Sequence, residues 1–318
     1  MTRRSVRTLA AAASLALLAT VAGCGGDSDS ASGSETQTVK VGTLRGQPHF
    51  YAPFLYEDGD GVDYEVVTLD TTPALNDALV SGQVDVAITG ITATIASDAQ
   101  GRDLTVVASA ADGGSGFVGN DDVKTVADLA GKKLGYLVGS AQEVALRLTL
   151  EEAGVSADDV ELVSLKAPEF FNAFKTGQID AFFGPEIGVS LALGAGGHEI
   201  TSPYDTAIAK LNIALVTTGA LIESDPELVQ KVVDMHTATT ESMSDTQDEW
   251  LKEMVTTYGG DQAVFETALE NFWLRADLPQ DYQDQIQALI DSMSSLGLVD
   301  EAPELSAVVD PSFAEKAS

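Results

Sequence analysis

Apolar and polar residues alternate along Val39–Leu44, and short runs rich in apolar residues follow at Tyr64–Leu69, Asp85–Ile88 and Leu104–Ser109. Between these runs the apolar residues fall three and four positions apart. A period of two marks a strand, and the longer spacing marks an amphipathic helix. The pattern therefore predicts four strands at those positions, with a short helix at Phe50–Tyr56 after the first. A second helix opens with Thr72 as its N-cap and Pro73 at its first helical position, and a third starts near Ile91. This β-α-β-α-β-α-β series is the signature of a parallel sheet covered on both faces. Ala110–Gly116 is rich in glycine and serine and is expected to be a crossover. A second series follows: strand Lys133–Leu137, helix Ala141–Ala153, strand Glu161–Leu165, helix Glu169–Thr176, strand Asp180–Phe183 and helix Pro185–Leu193. Asn212–Thr217 is β-branched and apolar and should run back between the two series. Beyond Pro226 the pattern is helical, over Pro226–Met243, Gln247–Tyr258, Gln262–Arg275 and Asp281–Leu296.

One phrase occurs once in each series. Ala78–Gly90 reads ALVSGQVDVAITG and Ala173–Pro185 reads AFKTGQIDAFFGP. Each is a helix end, a glycine stop and an acidic residue leading into a short apolar strand. Gly82 and Gly177 suit the left-handed position after a helix, which a side chain disfavours. Two matching units predict an α/β chain of two lobes, each a mainly parallel sheet flanked by helices, with a hinged cleft between them. The expected boundaries are residues 38–114 and 214–318 for lobe 1 and 115–213 for lobe 2. The hinge is expected near Gly113–Phe117 and Leu211–Ala214.

Composition narrows the function. With 318 residues, 44% of them hydrophobic, the chain can bury two cores. Its 49 acidic and 17 basic residues leave a net charge of −32, which argues against nucleic acid as a partner. The N-terminus is different: Arg3, Arg4 and Arg7 precede the apolar run Leu9–Ala22, which falls short of the ~20 residues that span a bilayer. It ends in Val21-Ala22-Gly23-Cys24, and Cys24 is the chain's single cysteine. Small residues before the cut fit a signal peptide, and the tetrad resembles a bacterial lipobox. That resemblance implies a signal segment over residues 1–23 and a lipid such as palmitate on Cys24. Residues 24–37, polar and Gly/Ser-rich, then form a flexible tether. Thr2–Ser5 half-resembles a twin-arginine signal, so the export route stays open.

Val126–Gly154, VADLAGKKLGYLVGSAQEVALRLTLEEAG, resembles the type II periplasmic binding proteins, the extracytoplasmic solute receptors of ABC importers. The shared features are ADLAGKK before a strand, GS at a helix start and a helix ending in EEAG. Ala78–Gly90 and Ala173–Asp180 resemble the branch that binds aliphatic sulfonates, nitrate and thiamine precursors. The resemblance covers about Thr38–Thr240. It implies a small-molecule ligand, an ABC permease as partner, a monomeric receptor, and lipid anchoring on the outer face of the bacterial cell membrane. A sensing lipoprotein that signals to a membrane partner would look the same in sequence. A pyrimidine-precursor synthase on this fold is a further alternative, although the export signal and the absence of reactive histidine or cysteine clusters oppose it.

Ligands of open α/β sheets sit beyond the carboxyl ends of the strands. The candidate ligand-binding residues are accordingly Arg45, Gln47, His49 and Tyr51 after the first strand, Thr72 after the second, and Thr89 and Gly90 after the third. Ser115 lies on the crossover. The resemblance adds Ser140, Ala141 and Gln142, and Glu186 follows the strand of the second repeat. Arg45 could grip an anion in bidentate fashion, Tyr51 could stack on a ring, and Glu186 could meet an ammonium group. Ser140-Ala141-Gln142-Glu143 also fits a capping box, in which Glu143 reaches back to the N–H of Ser140. No metal is expected, because His49, His198 and His236 lack ligand spacing. No cofactor or catalytic residue is expected either. Gly114–Gly119 spells G-x-G-x-x-G, but Asn120-Asp121-Asp122 follows where a dinucleotide fold would continue an apolar helix.

Overall fold

The computed structural model describes residues 36–317. Cys24, the signal segment 1–23 and most of the tether lie outside the described residues. The strands are β1 (Gln37–Leu44), β2 (Val62–Leu69), β3 (Val86–Gly90), β4 (Leu104–Gly113), β5 (Ser115–Gly119), β6 (Lys133–Tyr136), β7 (Glu161–Ser164), β8 (Ala181–Pro185), β9 (His198–Glu199), β10 (Ile213–Thr218) and β11 (Phe272–Leu274). They form two sheets, ordered β11-β4-β10-β3-β1-β2 and β7-β6-β8-β5-β9.

Most strands of each sheet point one way, with a minority reversed. In the first sheet β10 runs antiparallel to both β3 and β4, and β11 runs antiparallel to β4. In the second sheet β5 is the reversed strand, antiparallel to β8 and β9. β10 enters the middle of the first sheet after the chain has built the second one. Its apolar residues Ile213–Val216 are fully enclosed there.

The chain crosses between the sheets within Ala110–Gly116, as expected. β4 continues to Gly113, β5 begins at Ser115, and Gly114 alone separates them. Every residue of β4 is buried between covering layers, and its small residues at Ala108–Gly113 fit that enclosure. Gly113 and Gly114 both take positive φ, at +80° and +69°. A side chain on Gly114 would begin 1.9 Å from Cε1 of Phe272.

Other expectations shift by a residue or two. The second helix spans Thr72–Val80, but its cap is Thr71, whose hydroxyl accepts from the N–H of Ala74. Thr72 lies inside the first turn. Helix Gln262–Leu269 stops early, and Phe272–Leu274 instead pairs with Ala111–Gly113. Its three- and four-residue spacing extended past the true end because Phe272 and Leu274 supply apolar residues at helical offsets. Phe50–Tyr56 forms two short 3-10 turns, Pro48–Phe50 and Ala52–Leu55, divided by the cap residue Tyr51. Gly82 and Gly177 hold φ of +69° and +72°, as their place after helix ends requires.

One apolar core runs from beneath the first sheet to Val144, Leu146 and Leu150 of helix Ala141–Glu152 beside the second. A smaller cluster, including Phe170, Phe182 and Val189, covers the opposite face of the second sheet. Among the described residues no helix is long and apolar enough to cross a membrane.

Candidate functional site

Strand direction brings two sheet edges together. β1, β3 and β4 end at Leu44, Gly90 and Gly113 on one edge of the first sheet. The registers Ile213↔Gly90 and Phe272↔Gly113 place the starts of β10 and β11 on that same edge. In the second sheet β6 and β8 end together, and Ser115↔Pro185 puts the start of β5 beside them. Gly114 links β4 to β5, so the two carboxyl edges meet at a seam.

The seam is held by polar side chains. Gln142 donates from Nε2 to the Ser115 hydroxyl at 2.9 Å. Asn271 donates from Nδ2 to the Ser115 carbonyl (2.9 Å) and to Glu186 Oε1 (3.0 Å), while its Oδ1 accepts from the Tyr204 hydroxyl (2.6 Å). Its backbone carbonyl accepts from the N–H of Gly114 at 2.7 Å. Asn212 donates to the Gly113 carbonyl at 2.7 Å. Burial pushes the Tyr204 hydroxyl well above its usual range, so it stays a protonated donor.

Glu186 follows β8 and is 3% exposed. Its Oε2 accepts from the backbone N–H and the hydroxyl of Ser190, at 3.0 and 2.8 Å. Burial raises its pKa, opposed by the hydrogen bonds from Asn271 and Ser190. His49 is also enclosed, 6% exposed, with its ring stacked on Phe272 at 4.2 Å between centroids. Burial lowers its pKa to about 3, so the imidazole is neutral, and its Nδ1 has no hydrogen-bond partner.

Ser140 caps helix Ala141–Glu152 by accepting from the N–H of Glu143 at 3.2 Å. The reciprocal bond differs from the expected box. Glu143 accepts from the N–H of Gly139 at 2.8 Å instead of from Ser140, and it also pairs with Arg147 at 2.7 Å. Ala141 is buried in the first turn of that helix.

The other candidates have their hydrogen-bond and packing partners elsewhere. Thr89 is buried and donates to Asn76 Oδ1 at 2.9 Å, while Gly90 caps helix Ile91–Asp98 against the Thr72 side chain. Tyr51 is core, stacked between Phe54 and Trp250, and burial pushes its hydroxyl up to about 12. Gln47 only precedes the first 3-10 turn. Arg45 is 54% exposed and pairs at 3.2 Å with Asp70, itself 81% exposed. That is a surface ion pair, and with Arg45 in it the guanidinium is not among the seam's buried groups.

Sequence reasoning missed Asn271, Phe272, Tyr204, Ser190 and Asn212. None sits in a motif, and each reaches the seam through topology alone. A hollow of about 420 Å³ is lined by the polar segment Ser244–Glu249 and by none of these residues.

Known proteins share sequence and shape with this chain. A Brucella abortus protein named only as a binding protein is 27% identical over 221 residues, covering 66% of this chain and 67% of its own. An Escherichia coli protein named for aliphatic-sulfonate binding is 31% identical over 132 residues, 40% of this chain and 41% of its own. The crystal structure of the Escherichia coli aliphatic sulphonate binding protein SsuA superposes with a TM-score of 0.74 at 19% identity, over 85% of this chain and 96% of that one. SsuA from Xanthomonas axonopodis pv. citri, bound to MOPS, gives 0.76 at 19% identity, over 87% and 99%. These likenesses establish the two-sheet α/β fold of periplasmic binding proteins, and the named relatives are binding proteins. The family model described as NMT1/THI5 like matches residues 56–250, more than half of the chain, and the chain belongs to that family.

Proposed function

We propose that this chain is the extracytoplasmic solute receptor of an ABC importer, a binding protein and not an enzyme. It captures a small organic solute between two lobes built on the two sheets and presents it to the permease. The observation that carries this reading is the seam itself. Two carboxyl edges meet, helices begin at Gly90 and Ser140, and buried polar side chains from both sheets converge. Sulfonates are the first solutes to test, because relatives of this family and fold are named for them. The solute's acidic group meets backbone N–H groups of the helices starting at Gly90 and Ser140, where the dipole favours negative charge. Thr89, Ser115, Gln142, His49 and Glu186 supply polar contacts. Cys24 carries the lipid, and one acyl chain alone would hold the protein only marginally, so multiple acylation is implied.

The test is closure on binding. Val80 and Val138 are exposed and lie beside the first and second sheets respectively. Dyes on Val80→Cys and Val138→Cys, in a Cys24→Ser background, should approach when propanesulfonate or MOPS is added. A solute at about 100 times its Kd should stabilise the folded chain by about 2.7 kcal/mol. A sulfonate that binds without moving the dyes refutes closure, and failure of every sulfonate to bind refutes the solute class.

A further inference from the structure

We propose that Glu186 receives a protonated amine of the solute, so that the receptor takes zwitterions with an acidic group at one end and an ammonium at the other. This rests on the receptor reading above. The described residues bury three carboxylates: Asp112, Glu143 and Glu186. Arg275 pairs with Asp112 at 2.9 Å, and Arg147 pairs with Glu143 at 2.7 Å. Glu186 has no arginine or lysine partner among the described residues; its donors, Asn271 and the N–H and hydroxyl of Ser190, are all neutral. A buried carboxylate without a counter-charge is unusual, because desolvation penalises the charged form unless something compensates it.

The hydrogen-bond inventory shows where compensation fits. A carboxylate has about four acceptor positions, two on each oxygen. Oε2 uses both of its positions on Ser190, and Oε1 uses one on Asn271. One position on Oε1 remains. The Asn271 amide and the Ser190 N–H can only donate, so they hold Glu186 ready as an acceptor. The residue stands at the seam, its own N–H donating to the Gly114 carbonyl at 2.9 Å. An ammonium there supplies both the missing hydrogen bond and the missing charge. Arg45, spent on Asp70 at the surface, supplies neither.

The experiment measures binding of three probes by calorimetry: propanesulfonate, 3-aminopropanesulfonate and propylamine. A charge-assisted hydrogen bond corresponds to about a ten- to hundredfold change in affinity. The amino sulfonate should therefore bind the parent at least about tenfold tighter than propanesulfonate, and Glu186→Gln should erase that difference. Equal affinities for the two sulfonates on the parent chain overturn the ammonium site and leave the receptor reading standing. This comparison needs no variant and so does not depend on Glu186→Gln folding. A folded Glu186→Gln that keeps the full preference also overturns the ammonium site. Binding of propylamine alone, lost in Glu186→Gln, supports the ammonium site and removes the sulfonate assignment. Failure of all three probes overturns both.

Discussion

Gly114→Ala tests the close approach at the seam. At φ +69° an alanine costs about 1–2 kcal/mol from backbone strain alone. Its Cβ would also start 1.9 Å from Cε1 and 2.5 Å from Cζ of Phe272. Phe272 cannot swing away freely, because His49 stacks on it and β11 fixes its backbone against Gly113. Overpacking of this kind adds about 1–3 kcal/mol, giving a total of about 2–5 kcal/mol. Gly131→Ala is the matched control, with φ +74° and nothing within 4 Å of its Cβ; it should cost only the strain, about 1–2 kcal/mol. Urea unfolding of the two variants and the parent gives the comparison through the transition midpoints at constant slope. Subtracting the Gly131 loss from the Gly114 loss isolates the contact. Equal losses would mean that the ring moves aside at no cost, and the claim of a packed crossover would fall.

Ser140→Ala removes the cap of helix Ala141–Glu152 and should cost about 0.5–2 kcal/mol in denaturant unfolding; an unchanged midpoint would contradict the assigned cap. Arg45→Ala breaks an exposed ion pair, so its stability change should stay below about 1 kcal/mol, and a larger loss would show a buried role. His49 and His236 have pKa values lowered by burial to about 3 and about 4. The unfolded chain takes up those protons first, so stability should fall as pH drops from about 6.5 toward about 4, by up to ~1.4 kcal/mol per pH unit for each group. An NMR midpoint near 6.5 for either imidazole in the folded protein would sink that account. Cys24→Ser should shift the protein from the membrane to the soluble fraction, and unchanged membrane attachment would exclude lipid anchoring at that residue.

The alternation of Val39–Leu44 and the helical pattern of Pro226–Met243 were legible because both are local. A strand face or a cap needs only its neighbours in sequence. Gly82 and Gly177 were legible for the same reason. Phe272–Leu274 was not, because its strand character comes from pairing with Ala111–Gly113, far away in the chain. Asn271 was invisible as well, since its partners Ser115, Glu186 and Tyr204 come from three separate segments. Arg45, on a strand-end loop of an acidic protein, allowed either an anion site or a surface ion pair, and the structure pairs it with Asp70. The capping motif at Ser140 fixed one bond and misplaced the other by a single residue, because side-chain reach depends on the turn at Gly139.

The reversed strands have a consequence for how the chain reaches its folded state. β4 is buried along its whole length, yet both of its sheet neighbours, β10 and β11, come roughly a hundred residues or more later. Until they arrive, a long apolar strand carries open hydrogen-bonding edges, the condition that invites pairing with other chains. A chain made from its N-terminus cannot close that edge until residue 274 is available. The first sheet is thus begun early and completed last, so this topology favours a chain kept extended until synthesis ends. Passage through a membrane as an unfolded thread would impose that same delay.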